Sequence, residues 1–172
     1  MSQQVYRIRR GYMIPFTVDV VLLVLLFILS FIYRSLPFER IALVLILLPV
    51  IYAYLEAFFR EVTVGPEGLL IKKFLRRKAL SWEDISHVGL LVLGKKVYIL
   101  LTTVKGFHIL SNAYESYTSM LAELIGHLDK DKVEQEVRMQ IEHAVIYRSD
   151  IIGAWFAAAA ISGIIFLKLL SS

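Results

Sequence analysis

The 172-residue chain is 58% hydrophobic and only 20% charged, with a mean hydropathy of +0.66. That excludes an ordinary soluble domain, where charged residues lie nearer a quarter of the total. Cysteine does not occur, which excludes disulfides, thiol catalysis and cysteine-ligated zinc, and a formal net charge of +4 singles out no nucleic-acid partner.

Residues 1–12 read as a basic arm, in which Arg7, Arg9 and Arg10 precede the first apolar run with no acid among them. Apolar runs at Met13 to Tyr33, Ile41 to Phe59 and Ile151 to Leu170 are each roughly 20 residues, the length at which a helix spans about 30 Å of hydrocarbon. The first is too long for a secretory signal and shows no small-residue cleavage pattern before Arg34, so it reads as a retained span. Lipid offers backbone groups no partner, so each run has to be a closed helix. The expectation is a transmembrane helical hairpin over residues 13–59 and a third transmembrane helix over 151–170.

Orientation follows from Lys and Arg. The arm, with Arg60, Lys72, Lys73, Arg76, Arg77 and Lys78 soon after the second run, outweighs the two arginines of the loop "RSLPFER". The positive-inside tendency then puts the arm and the polar segment on the cytoplasmic side of a multi-pass protein of the cytoplasmic (inner) membrane. Lys168 falls on the far side, its ammonium snorkelling toward the headgroups.

Two carboxyls lie inside the spans, Asp19 in "PFTVDVV" and Glu56 in "YLEAFFR". Glu56 has Arg60 one helical turn on, and Asp19 is expected to find water, a backbone donor or an arm arginine. Structural roles are the first reading of both; an ionisable group in a span is also a candidate for proton or cation handling. Pro49 interrupts the second span, as neighbouring helices commonly tolerate. In the third, "GAWFAAAAISGIIF" sets Gly153 and Ala157, and Ala159 and Gly163, at the four-residue spacing that lets helix backbones approach. Their partner is this chain's own hairpin, a second copy or another subunit.

From Glu61 the pattern changes to short apolar runs. "EVTV", the turn "GPEG", "LLIKKF", "SHVGLLVL", "VYILLTT" and "FHIL" predict five or six short antiparallel strands. "YESYTSMLAELIGHL" then places Tyr117, Met120, Leu121, Leu124, Ile125 and Leu128 on one helical face. With "VTVGPEGLLI", "RRKA" and the segment Ser81-Trp82-Glu83-Asp84-Ile85 in "LSWEDISHV", the stretch from about Gln4 to Leu128 resembles the bacterial pleckstrin-homology-like domain family. The resemblance implies a partly open antiparallel barrel with a C-terminal helix over residues 60–128, set after a membrane hairpin, and it implies no catalysis. The fold class expected is therefore an α+β membrane protein. By spacing alone, Ser81 and Asp84 predict one tight turn before Ile85, with Trp82 packing at the barrel rim.

Lys72, Lys73, Arg76, Arg77 and Lys78 crowd a strand end and the loop after it. Two readings stand: a solvated loop that reinforces topology, and contact with anionic lipid, worth about 1 kcal/mol per basic residue near such a surface. A stereospecific headgroup site is disfavoured, because "GPEG" carries an acid and no base. Residues 129–150 predict an amphipathic juxtamembrane helix whose stripe Val133, Val137, Ile141, Ala144 and Val145 packs on protein. The dispersed His87, His108, His127 and His143 have no metal-ligand spacing, and no nucleophile, phosphate-binding or dinucleotide motif is present. No enzyme activity, cofactor, metal or small-molecule substrate is expected. The reading is an adaptor that binds membrane lipid and other membrane proteins or copies of itself; the alternative is a small subunit of an oligomeric transport or channel complex using Asp19 and Glu56.

Overall fold

The computed structural model describes residues 3–33, 36–93, 96–104, 106–142 and 149–170. The chain divides into two units, one of Met1–Arg9 with Arg60–Tyr147 and one of Arg10–Phe59 with Arg148–Ser172. Each is built from two stretches far apart in sequence.

The helical unit holds α1 (Arg10–Ile32), α2 (Pro37–Phe58) and α5 (Ser149–Leu170). Among the described residues these three are long and apolar enough to cross a membrane. Pro37 opens α2 at its first turn, where a missing N–H costs nothing, and the helix continues through Pro49. Helix α1 packs against both of the others. Its buried positions, Pro15, Asp19, Leu26 and Ser30, share one stripe. Against α2 it sets an aromatic cluster: Phe16 meets Tyr54 edge-on with centroids 5.5 Å apart, and Thr17 Oγ1 lies 3.2 Å from the Tyr54 hydroxyl. Against α5 the start of α1 meets a side chain, since a methyl built on Gly11 would lie 3.6 Å, an ordinary contact distance, from Ile151 Cδ1. At the other end Lys168 pairs with Glu39 of α2, so its charge is held by a carboxylate.

The sheet unit begins with the supposed arm. Gln4–Arg7 is strand β1, and it pairs antiparallel with β2 (Glu61–Gly65), on the far side of the helical hairpin in sequence. β3 (Gly68–Lys73) and β4 (Arg76–Ser81) complete a four-stranded antiparallel sheet in the order β1-β2-β3-β4. A second sheet holds β5 (Ile85–Leu93), β6 (Lys96–Thr103) and β7 (Gly106–Ser111) in that order. Among the described residues the expectation of five or six strands after Glu61 gives six, and the arm supplies a seventh. The core is the alternating inward set: Val62, Val64, Leu69, Ile71 and Leu80 from one sheet face Val88, Val97, Ile99, Leu101 and Leu110 from the other. Helix α3 (Tyr117–Gly126) adds Tyr117, Met120, Leu121 and Leu124 to it. The predicted face thus holds, with Ile125 and Leu128 half-buried.

Two turns explain the local sequence. At "GPEG", Gly68 has φ of +155°, and a Cβ there would stand 2.1 Å from the Leu80 carbonyl oxygen, so only glycine fits. The Trp82 indole N–H points at the Gly65 and Pro66 carbonyls, each at 3.1 Å, and its ring stacks on His127 at 4.7 Å. Asp84 reaches back to the Ser81 amide at 3.2 Å. This is the tight turn expected from the spacing, with Trp82 as its packing residue.

After α3 the structure differs from a single amphipathic helix. A 3-10 turn at Lys130–Lys132 precedes α4 (Gln135–Glu142), and between them Val133 bridges Val88 in parallel while the Glu134 amide donates to the Val88 carbonyl at 3.1 Å. The Glu134 carboxylate accepts from the Leu90 amide at 3.0 Å and meets His87 Nε2 at 2.8 Å. Exposed backbone groups of an edge strand take precedence here over helical periodicity. Val133 and Val137 are buried as the stripe requires; Ala144 and Val145, like His143, lie outside the described residues.

Candidate functional site

The basic cluster sits on the β3–β4 hairpin. Pairing fixes its geometry: Lys73 is directly opposite Arg76 and Lys72 directly opposite Arg77, with Phe74 and Leu75 forming the two-residue tip. Like charges facing each other across a ladder are unfavourable, and two such pairs adjoin here. Leu75 is 77% exposed at the apex. The hairpin is therefore an apolar point ringed by cations.

One row of side chains crosses the whole sheet: Arg7, Glu61, Lys72 and Arg77. Glu61 lies 2.8 Å from Lys72 Nζ and 3.1 Å from an Arg7 nitrogen. The Lys72 ammonium, assisted by Arg7 and opposed by burial, holds the Glu61 carboxyl below its usual range. Thus Lys72 is partly neutralised within the sheet, while Arg76, Arg77 and Lys78 are exposed. Lys78 belongs to the next row, opposite Ile71. Burial first, and then the charges of Lys78 and Lys73, lower the His108 pKa from its ordinary value. A small cleft of about 170 Å³ runs beside β4, lined by Arg77, Lys78, Ala79, Leu80, Asp84 and Thr103.

The same row fixes where the tip lies along the sheet. Strand β1 ends at Arg7 and the chain enters α1 at Arg10; α2 ends at Phe58 and β2 begins at Glu61. Arg7 and Glu61 are therefore the last β1–β2 pair before the helix junctions, and Lys72 and Arg77 share their row. The Lys73–Arg76 pair lies one residue further in the same direction, and the Phe74–Leu75 tip lies beyond it. Sequence reading identified the five basic residues but missed Arg7 and Glu61, whose place follows only from β1 pairing across the hairpin. The signal available was the β-branched and aromatic character of "VYRI".

The other candidates are dispersed. Asp19 is buried on the α1 stripe, 7% exposed, with Oδ1 lacking a hydrogen-bond partner among the described residues; Glu56 is half-buried in the last turn of α2. Gly153, Ala157, Ala159 and Gly163 all face outward on α5, whose buried positions within this chain are Ala158 and Ile165. The four-residue spacing was legible, but α1 covers the adjacent stripe. His87 and His127 are occupied by Glu134 and Trp82 as described. Among the described residues no three of His, Cys, Asp or Glu gather as metal ligands would. Comparison with protein-family models, curated proteins and solved structures finds no match to this chain.

Proposed function

We propose that the chain is a non-enzymatic, multi-pass membrane adaptor of pleckstrin-homology-like architecture, whose sheet unit is held against an anionic leaflet by the β3–β4 tip and serves protein partners there. Four plus three antiparallel strands followed by a helix support the architecture, and three long apolar helices support the embedding. The distribution of Lys and Arg favours the cytoplasmic face of a bacterial inner membrane. One observation carries the lipid contact: the pairing that puts two like-charged pairs and an exposed leucine at the sheet end where the chain passes into both helices. Anionic headgroups relieve that repulsion, and the acyl boundary takes the leucine side chain.

The sheet needs β1, so the test uses the full chain. Because no native thiol exists, Leu75→Cys carrying an environment-sensitive fluorophore reports on the tip in nanodiscs. The expected result is blue-shifted emission with phosphatidylserine and not with phosphatidylcholine alone, reversed by salt or by Lys73, Arg76, Arg77 and Lys78 all changed to Gln. Equal emission in both lipids rejects the contact. Asp19, buried with a carboxylate oxygen unpartnered, favours a second reading as a subunit of an oligomeric transport or channel complex, with Glu56 as the other acid. Asp19→Asn separates the two: an adaptor keeps its tip docking, whereas a proton- or cation-coupled subunit loses flux in proteoliposomes.

A further inference from the structure

Strand β1 is an outer strand of its sheet, and only part of its outer edge is used. In an antiparallel strand successive residues direct their backbone groups to opposite sides. On the outer side the Arg7 carbonyl accepts from the Glu115 amide at 2.7 Å and the Arg9 amide donates to the Ala113 carbonyl at 3.0 Å, around the antiparallel bridge of Ile8 with Tyr114. Residues 7 and 9 therefore point outward, and by alternation so does Val5. At Ser116 the chain turns away into α3, with a φ of 50°, the one positive φ outside glycine among the described residues. Among the described residues the Val5 N–H, the Val5 C=O and the Arg7 N–H have no backbone partner on this edge. A groove of about 590 Å³ runs along them, lined by Gln4, Val5, Tyr6, Glu115, Ser116 and Ser119, with Arg7 at its end.

We infer that this groove binds an extended segment of a partner polypeptide, which adds to β1 as a strand in line with residues 113–115. The inference rests on the adaptor reading and names where that adaptor takes its partner. Three backbone hydrogen bonds are offered, two donors and one acceptor in ladder spacing, the recognition that strand addition uses. Adjacent strands lie about 4.8 Å apart. Between β1 and the wall made by Ser116 and the α3 residue Ser119 the groove takes one extended chain, whereas a second copy's β1 would have to bring its whole sheet into the same space. Val5, 50% exposed, offers an apolar contact to the residue paired with it. Glu115, exposed at the wall, favours a lysine or arginine beside that residue.

The experiment selects random linear peptides displayed on phage against the full chain in nanodiscs and measures their binding to Val5→Pro. Proline removes the outward N–H and no bond to β2, a position at which edge strands accept it. Expected are peptides that pair a basic with an apolar residue, bind the native chain, slow amide exchange at Val5 and Arg7, and lose at least about tenfold in affinity with Val5→Pro. If Val5→Pro fails to fold by circular dichroism, Ser119→Trp fills the groove from the α3 side and should cause the same loss. Absence of selected peptides, equal binding to the intact variants, or disulfide crosslinking of Val5→Cys between copies that peptides do not block overturns the inference. Tip docking reported from Leu75 is read in parallel: if it persists while peptide binding fails, the inference alone falls, and if it fails too, the reading beneath it falls.

Discussion

Replacing Glu61 by glutamine should weaken the sheet while tightening the hold of its tip on anionic lipid. The carboxylate is the one negative charge in the row Arg7, Glu61, Lys72, Arg77. Arg7 is 71% exposed, so its share is small. The Glu61 side chain is only 15% exposed and that of Lys72 35%; after solvent screening their bond contributes about 1 kcal/mol. Without it Lys72 faces Arg77 uncompensated, a further cost of roughly 0.2–1 kcal/mol. The expected loss is about 1–2 kcal/mol. Urea unfolding of the full chain in micelles measures it, followed by Trp82 emission in a Trp155→Phe background. Trp82 is a suitable reporter because its indole both stacks on His127 and donates to the Gly65–Pro66 turn. The pH dependence has a definite sign. Lys72 depresses the Glu61 pKa, so the stabilisation is fully present above the ordinary value of 4.5 and is lost as pH falls through the lower folded value. Native chain and variant should therefore converge in acid. Freed from Glu61, Lys72 adds about 1 kcal/mol to lipid attraction, roughly fivefold in the docking equilibrium. Equal stability at neutral pH, a gap that persists in acid, or weaker docking of the variant would refute this reasoning.

Gly68→Ala should destabilise the sheet unit by about 1–3 kcal/mol, read as a lower urea midpoint at unchanged slope, because its Cβ has nowhere to go but the Leu80 carbonyl. Glu134→Ala should speed amide exchange at Leu90 about fivefold, since one hydrogen bond worth about 1 kcal/mol is lost there. Glu134 is held below its usual range by His87 first and by the Leu90 amide second, so the protection of Leu90 should be present above its ordinary pKa of 4.5 and fade as pH falls through its folded value. Exchange at Leu90 that is independent of pH once corrected for intrinsic rates would show that the carboxylate does not cap this amide.

Much of this structure was open to reading from local pattern. "GPEG" followed by "LLIKKF" yields the β2–β3 turn and strand, because Gly68 and alternating burial are local requirements. Tyr117, Met120, Leu121 and Leu124 yield α3 by period alone. Val133 misled only in part: its burial was legible, but not that it would bridge Val88 instead of joining a helix, since that depends on an unpaired β5 edge which no nearby residue encodes. The five basic residues were visible as a cluster, whereas their meaning depended on strand register.

What the amino-acid sequence determined by itself was composition and period: three apolar lengths suited to a hydrocarbon layer, short alternating strands, one amphipathic helix and a knot of cations. Those are set by each residue's own solvation and backbone preferences, summed over neighbours. Tertiary structure alone decided that Gln4–Arg7 leaves its apparent arm to become β1, that Glu61 stands between Arg7 and Lys72, and that the turn at Ser116 leaves an open edge at Val5. Pairing across more than fifty intervening residues depends on which hydrogen-bonding edges meet in space, and no window along the chain contains both partners.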